Sequence, residues 1–503
     1  MPPEKLLLGI DIGTQAVKAL LVGLGGCIVS QSCVERGPSH PHSGWVEMNP
    51  EQDLWGTVLQ VVRKLFTSTD ISPKAVEVVG VSGLVPCLCP IDEAGSPVGE
   101  MILYSDNRAL QELDWVNQTA GLNLTAEAVI PKLVWIRDHE PERYARIQTV
   151  FSAHNYIVYR LTGERCIDYD TAAILGGIFD NQNKSWAAGI CQKLNLPRGL
   201  FPSPRPATDL AGWITVQAAQ QTGLQAGVPV IAGSGDTFPT MIGCGVVDPG
   251  DAMVSFGTTG LMTLTRKPLV DSARGPHFDD GSGHQSVAWV ANVLSAGQLV
   301  RWYCEQFAQA QAAVASRSGG SLHALLDAEA GRCPPGAEGL IVLPHWLGRR
   351  TPTPDALIRG AVIGLTPSHT PSHIYRAILE AFAYNLRQTY TEARPSILRL
   401  VATAGGARSQ LWRQIVTNVL NAPMEYYPAS SGSLGIAFLA GYAAGLIADF
   451  GDIKHTWLRN PQITQPDQTA AATYDLYFKI YCEFEQQMTT PFAHLAQVAQ
   501  NRM

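Results

Sequence analysis

Three short segments of this chain combine residue types that handle phosphate. The first, Asp11-Ile12-Gly13-Thr14-Gln15-Ala16-Val17-Lys18, places a carboxylate, a small polar turn and a lysine within eight residues. In such a turn the backbone N–H groups converge as an anion nest, Thr14 adds a hydroxyl and Lys18 adds a point charge. A phosphate would repel Asp11 directly, so its sensible role is to hold Mg²⁺ that bridges the oxygens through water. The bland alternative makes Asp11 a turn-former and Lys18 a solvated strand residue. A second turn of the same kind, Gly257-Thr258-Thr259-Gly260, occurs later, and two opposed turns can clamp one polyphosphate. No G-x-x-x-x-G-K-[ST] pattern is present, which excludes a P-loop.

Asp236 stands in Gly233-Ser234-Gly235-Asp236-Thr237, after a short apolar run and before an expected helix from Pro239. A carboxylate there can project into a cleft and accept a proton from a hydroxyl, with the positive end of the helix near phosphoryl oxygens. Capping that helix is the competing role. Gly405-Gly406-Ala407-Arg408-Ser409 also joins a strand to a helix. Its glycines let backbone approach a flat ring or a phosphate; a tight loop without a ligand is the alternative.

These segments need rigid elements to hold them. Leu6–Val22 reads as a hairpin of two apolar β-type runs, and Ala252–Leu264 repeats the pattern half a chain away, which suggests a duplicated architecture. Mixed α/β signals fill the rest: a Val-rich strand pattern in Ala75–Pro90, a helical pattern in Pro131–Arg146 and a short strand in Val228–Gly233. The second half carries a long amphipathic helix over Pro371–Ala393, a strand at Val401–Ala404, a helix at Gln410–Leu420, a small-residue helix after Ser433 and a helical tail from Thr473. The turn cluster Val246–Asp251 marks the boundary, giving expected domains 1–247 and 248–503.

Composition sets the class. The chain has 503 residues, 46% hydrophobic and 16% charged, with net charge −7, enough for at least two domains and unsuited to non-specific nucleic-acid binding. Leu434–Ala448 is too short to span a bilayer, so its Gly441-x-x-x-Gly445 spacing predicts close packing of a buried helix. Ten cysteines without a C-x-x-C pair, and no signal-like opening, imply a reducing cytoplasm. Cys87 and Cys89 read as one face of a buried strand. Pro371 between His369 and His373 argues against a shared zinc-binding face.

Taken together the segments resemble the FGGY family of carbohydrate kinases. Asp11–Lys18 looks like its first phosphate motif, Gly235-Asp236-Thr237 like the segment of its catalytic aspartate, Ser255–Gly260 like its second phosphate motif, and Ala404–Ser409 like its adenosine motif. Gly360–Leu365 with His373–Glu380 fits the family's C-terminal signature, and Lys132–Ile136 matches part of the N-terminal one. The resemblance implies an α/β protein of two RNase H-like domains in the actin-like ATPase fold, with an interdomain cleft. The sugar would lie mainly on the N-terminal domain and the nucleotide mainly on the C-terminal one. It implies ATP and Mg²⁺, with Asp236 as catalytic base and Asp11 and Asp236 at the metal. Nucleotide contacts are expected from Gly13, Thr14, Gln15, Lys18, Gly257, Thr258, Thr259, Gly405, Gly406, Ala407 and Ser409. Substrate contacts are expected from Leu84, Val85, Asp106, Asp236 and Thr237.

Within the family the chain is most similar to xylulokinases, so a ketopentose such as xylulose is the expected acceptor. Those enzymes usually carry Ser-Gly-Gln-Met-His-Gly where this chain has Ser82-Gly83-Leu84-Val85-Pro86-Cys87. Pro86 in place of histidine keeps ribulose, erythritol and glycerol-type acceptors open. A non-catalytic sugar sensor is a further alternative, although it would be expected to lose Asp11 or Asp236. An ATPase of the same fold should lack the Gly360–Glu380 signature. Asp106 and Arg108 either meet substrate hydroxyls or form a structural ion pair. The expected partners are the sugar and ATP, with no nucleic acid and no membrane, in a monomer or homodimer.

Overall fold

The computed structural model describes residues 5–67, 71–271, 275–276 and 286–500. It divides into two compact units. The first comprises Met1–Val247, Pro268–Ser286 and Ala429–Arg459, and the second Asp248–Lys267, Val287–Pro428 and Asn460–Met503.

The first unit is built on a seven-stranded sheet: β1 (Leu6–Ile12), β2 (Ala16–Gly23), β3 (Ile28–Glu35), β4 (Val76–Gly83), β5 (Leu210–Trp213), β6 (Pro229–Ile231) and β7 (Ser234–Gly235). The spatial order is β5-β6-β4-β1-β2-β3, with β7 also paired to β4. β1 pairs antiparallel with β2 and parallel with β4. Both faces of β1 are covered, so its sequence is a continuous apolar run rather than an alternating one. Leu6, Leu8, Ile10 and Ile12 enter one core cluster. A second cluster, formed by residues between Leu88 and Phe201, underlies the helices Leu110–Ala120 and Val129–His139. Helix α1 (Thr237–Gly243) follows β7 directly. It starts two residues before Pro239, which is accommodated because a proline in the first turn costs no hydrogen bond.

The second unit repeats the plan. β8 (Asp251–Phe256), β9 (Gly260–Thr265) and β10 (Val287–Val293) form an antiparallel meander, and β11 (Arg399–Thr403) and β12 (Met424–Tyr426) extend it in parallel on the other side of β8. The antiparallel strand β13 (Gln462–Thr464) closes the edge. Helices α2 (Pro371–Ala393) and α3 (Gln410–Leu420) have the bounds expected from their apolar spacing and flanking prolines. The His373–Glu380 part of the signature, within α2, is a core device. Glu380 is buried and accepts from Arg376 Nε and Tyr474 Oη at 2.8 Å and from the Gly336 amide at 3.0 Å. A Cβ on Gly360 would lie 2.1 Å from the Trp346 ring.

One helix packs away from its neighbours in sequence. α4 (Gly432–Ala443) belongs to the first unit, although it follows the strands of the second in sequence. Glycines explain its position. A Cβ on Gly9 of β1 would sit 2.0 Å from Ser433 O, one on Gly80 of β4 2.5 Å from Ile436 O, and one on Gly435 1.7 Å from Pro239 O of α1. The anticipated small-residue packing is therefore real, but on Gly435 and Gly441 rather than Gly445, which follows the helix with φ +68° in open space. Three smaller expectations also change. The Pro131–Arg146 pattern is two helices, Val129–His139 and Pro141–Ala145, because Pro141 cannot continue the first. Cys87 precedes the strand that contains Cys89 (Cys89–Ile91), although both are buried. The tail helix begins at Gln468, not Thr473.

Gly435→Ala should lower stability by about 1–3 kcal/mol, since backbone on both sides blocks the new methyl. Gly405→Ala, whose Cβ meets nothing within 4 Å, should change it little. Urea unfolding of both variants tests the contrast.

Candidate active site

Strands β1, β4 and β7 run parallel and end at one sheet edge. Their register sets Lys18, Asp11, Ser82 and Ser234 side by side across four strands. Ser82 Oγ donates to Asp11 Oδ1 at 2.7 Å. Asp236 follows β7, and its amide donates to Gly83 O at 2.9 Å. Its carboxylate makes no capping bond to α1; it accepts from Thr237 Oγ1 at 3.3 Å. The capping alternative thus fails, and the residue sits half-buried at the strand edge.

Burial pushes the Asp236 carboxyl up to about 7, the nearby charge of Asp11 pushes it further in the same direction, and Thr237 opposes them. Asp11 is also raised, first by burial, against the Ser82 bond and the charge of Lys18. Two carboxylates therefore share a poorly solvated edge with a single exposed lysine opposite Asp11. Hard oxygen donors with uncancelled negative charge suit Mg²⁺. Among the described residues no group of three or more His, Cys, Asp or Glu is poised to hold a metal. The donor set fits an ion that keeps water and phosphate oxygens as its other ligands.

The walls around Asp236 come from several elements. A Cβ on Gly432, at the start of α4, would meet Asp11 Oδ2 at 2.8 Å. Sequence reasoning passed over this residue; its only signal is a Ser-Gly pair opening a helix of small residues. Val85 packs on Gly235, whose Cβ would lie 2.5 Å from Val85 Cγ2. Leu84 is buried, and its amide donates to Ile12 O at 2.9 Å. The Tyr104 hydroxyl bonds to Thr14 and lies within reach of the Asp236 charge. Lys132, from the matched signature, is buried and donates to the carbonyls of Tyr104 at 3.2 Å and Glu127 at 3.1 Å. Burial pushes it down to about 8. Its role is to fasten the Tyr104 loop.

Asp106 does not meet the expectation of a substrate contact. It is fully buried, accepts the Val46 amide at 2.6 Å, and takes Arg108 Nε at 2.9 Å and Nη2 at 2.7 Å. Arg108 also bonds Glu47 at 2.6 Å and lies 3.7 Å over the Trp45 ring. This is the structural ion pair.

In the first turn the Gly13 amide closes on Ala16 O at 2.9 Å, and Gly13 O accepts from Arg36 at 3.0 Å. The nest's unused donors are therefore those of Thr14 and Gln15 rather than Gly13. In the second unit, Gly257 O and Thr258 O accept from the Gly297 and Gln298 amides at 2.9 and 3.1 Å, leaving Thr258 and Thr259 exposed. Behind them Phe256, Phe382 and Trp412 pack edge to face or tilted. Gly405 is open, Gly406 presses on Trp412, and Ala407 is buried. Ser409 is committed to the fold: its Oγ caps α3 by accepting from Trp412 N at 2.9 Å, and it bonds Asp327. Ala404 adopts φ +71°, ψ −177°, a region almost reserved for glycine.

Models of one family match nearly the whole chain: the FGGY family of carbohydrate kinases, N-terminal domain, over residues 6–243, and its C-terminal domain over 252–444. The chain belongs to the FGGY family of carbohydrate kinases. It is an ATP-dependent sugar kinase. It is 28% identical to the xylulose kinase of Staphylococcus xylosus, over 94% of this chain and 98% of the relative. It is 26% identical to the gluconokinase of Bacillus subtilis, over 97% of each. The crystal structure of xylulose kinase from Rhodospirillum rubrum superposes with a TM-score of 0.80 at 28% identity, covering 97% of this chain and 100% of that one. No helix among the described residues is long and apolar enough to cross a membrane.

The raised Asp236 carboxyl carries a stability cost with a definite sign. The folded chain holds this proton up to about 7 and the unfolded chain releases it near 3.8, so stability is lost as pH rises through that window. Asp236→Asn should be more stable than the parent at pH 8, by about 1–4 kcal/mol at roughly 1.4 kcal/mol per pKa unit. The gap should close toward pH 4. Thermal melts at the two pH values test it. Ala404→Gly should separately gain about 1 kcal/mol by relieving the backbone.

Proposed function

We propose that this kinase phosphorylates a small neutral ketose of the pentulose type, with Asp236 as general base. The observation that carries the reading is a carboxylate fixed at the strand edge by its own amide, free of capping duty, and tuned to about 7. A base with that value accepts a hydroxyl proton near neutrality. As the acceptor oxygen attacks the γ-phosphorus of ATP in line, the proton passes to Asp236 and ADP leaves. Asp11 and Asp236 would hold Mg²⁺, which when bound neutralises charge on the phosphate oxygens. The Thr14 and Gln15 amides, Lys18, Thr258 and Thr259 would bind phosphate oxygens, and the Gly405-Gly406-Ala407 turn would receive the adenosine. Thr237 orients the base and Gly432 leaves room for Asp11. Most of the acceleration is then positioning and electrostatics.

A neutral acceptor is favoured over a sugar acid, despite the gluconokinase relatives, by the state of the nearby cations. Lys132 donates to two carbonyls, the Arg108 charge is paired with Asp106 and Glu47, and Arg36 donates to Gly13 O and Met48 Sδ, with Arg108 Nη1 and Arg36 Nε left buried without a partner among the described residues. A carboxylate beside Asp236 and Asp11 would meet negative charge. No disulfide joins any of the ten cysteines, which supports a reducing, cytoplasmic setting.

Asp236→Asn should lower kcat by about 10²–10⁴-fold while ATP still binds; near-full turnover would end the assignment. In the parent enzyme kcat/KM should rise with pH to a plateau above about 7, lying about tenfold below it at pH 6. ATP consumption with and without a panel of pentuloses, polyols and gluconate identifies the acceptor class. A sugar sensor would bind without turnover, and an ATPase would turn over without sugar.

A further inference from the structure

Behind the strand edge that carries Asp236 lies a polar cluster that the proposed chemistry leaves idle. His154, in the helix Ala153–Thr162, is fully buried together with Asn155 and Asp168. Its Nε2 lies 2.7 Å from Asp168 Oδ2. A carboxylate oxygen accepts, so the ring proton sits on Nε2. Asn155 Nδ2 is 2.9 Å from the same ring nitrogen and 3.4 Å from Asp168 Oδ2. The other carboxylate oxygen accepts from the Thr171 amide at 2.9 Å and starts the helix Tyr169–Ile174. His154 Nδ1 and Asn155 Oδ1 are buried with no partner among the described residues. A half-satisfied cluster of this kind stabilises a core less than apolar side chains of the same volume. What it secures is the position of the ring.

His154 bears on the two glycines that set the Asp236 backbone. A Cβ on Gly83 would lie 3.2 Å from His154 N and 3.3 Å from His154 Cβ, and one on Gly233 would lie 3.5 Å from His154 Cδ2. Gly83 O accepts the Asp236 amide at 2.9 Å, and Gly83 is paired in register with Gly235. Gly233 leads into β7 with φ +79°. We infer that His154 and Asp168 are positioning residues for Asp236: the carboxylate holds the imidazole, the histidine packs on Gly83 and Gly233, and these hold the base. This rests on the reading of Asp236 as general base and deepens it. No proton or phosphoryl group passes through the pair. Its effect is geometric, and a base displaced by about 1 Å loses on the order of 10²-fold in rate.

The test uses the full-length chain with ATP, Mg²⁺ and the pentulose of highest turnover, and breaks the pair from either side. Asp168→Asn keeps an oxygen for the Thr171 amide but turns a donor toward Nε2, which drives the ring proton to Nδ1, where nothing accepts it. His154→Phe keeps a ring against Gly233 without the bond. His154→Gln keeps a donor near the Nε2 position and is the conservative control. Each breaking variant that folds should lose about 10–100-fold in kcat with an unchanged KM for ATP. The midpoint of its pH profile should fall below the parent's value near 7, because a displaced carboxylate gains water. The charge that raises Asp236 is that of Asp11, so a moved midpoint reports a moved base. His154→Gln should stay within about threefold of the parent in kcat and keep its midpoint. The inference is overturned, with the kinase reading intact, if a breaking variant of parental melting temperature keeps the parent's kcat and midpoint. It is equally overturned if His154→Gln falls as far as the others, or if neither breaking variant folds, since the pair is then a requirement of folding alone. Near-full turnover in Asp236→Asn removes the base itself and takes the inference with it.

Discussion

Two carboxylates that repel each other, held near one strand edge with little water, are the constraint on which the rest of the first unit depends. Asp11 and Asp236 lie 225 residues apart in the sequence yet interact strongly enough to shift a titration. Holding them together opposes folding. The arrangement persists because the backbones around it are fixed by hydrogen bonds and close packing that neither side chain supplies. The Asp236 amide is bonded to Gly83 O, and Asp11 is paired near the end of β1 with Lys18 of β2 and Ser82 of β4. A site that stores repulsion in this way is ready for a dication or for a proton from substrate. Strain of this kind is what phosphoryl transfer can use, since the chemistry asks the protein for position and charge more than for bonds.

The scaffold that tolerates this repulsion is made of glycine. Gly9 and Gly80 lower α4 onto β1 and β4, and Gly243 and Gly435 bring α1 and α4 backbone to backbone. Gly432 then starts α4 against the Asp11 carboxylate. Each of these is a place where a side chain would collide with main chain or with the Asp11 carboxylate. The helix is consequently among the most apolar of the chain while exposing little of itself; Gly432–Gly441 is buried throughout. What reads in one dimension as a closely packed buried helix is in three dimensions the clamp on β1, β4 and the Asp11 carboxylate.

The second unit uses different means for a similar end. Its Gly-Thr turn is stapled by two amides of the helix Gly297–Phe307, and its Gly405 turn rests on Trp412. Stability there comes from aromatic packing and from the buried Arg376–Glu380–Tyr474 cluster. The most diagnostic sequence signature of the chain, Gly360–Glu380, proves to be part of this support rather than of the chemistry.

Both hairpins, the long helix α2, the helix α3 and the identities of Asp11 and Asp236 are legible in the amino-acid order, because each depends on local periodicity, turn chemistry or a neighbouring glycine. The family follows from their succession. Other features depend on residues remote in sequence. Periodicity cannot reveal that Ala429–Arg459 joins the first unit, because the reason is a set of glycine contacts with β1, β4 and α1. Nor can it distinguish a substrate carboxylate from a structural one. Asp106 and Asp236 look alike in a string, and only the approach of Arg108 and Val46 to one, and of Gly83 O to the amide of the other, separates them. Burial, and with it the value near 7 that suits Asp236 to the proposed role of base, belongs wholly to the tertiary structure, since desolvation depends on neighbours in space rather than on neighbours in sequence.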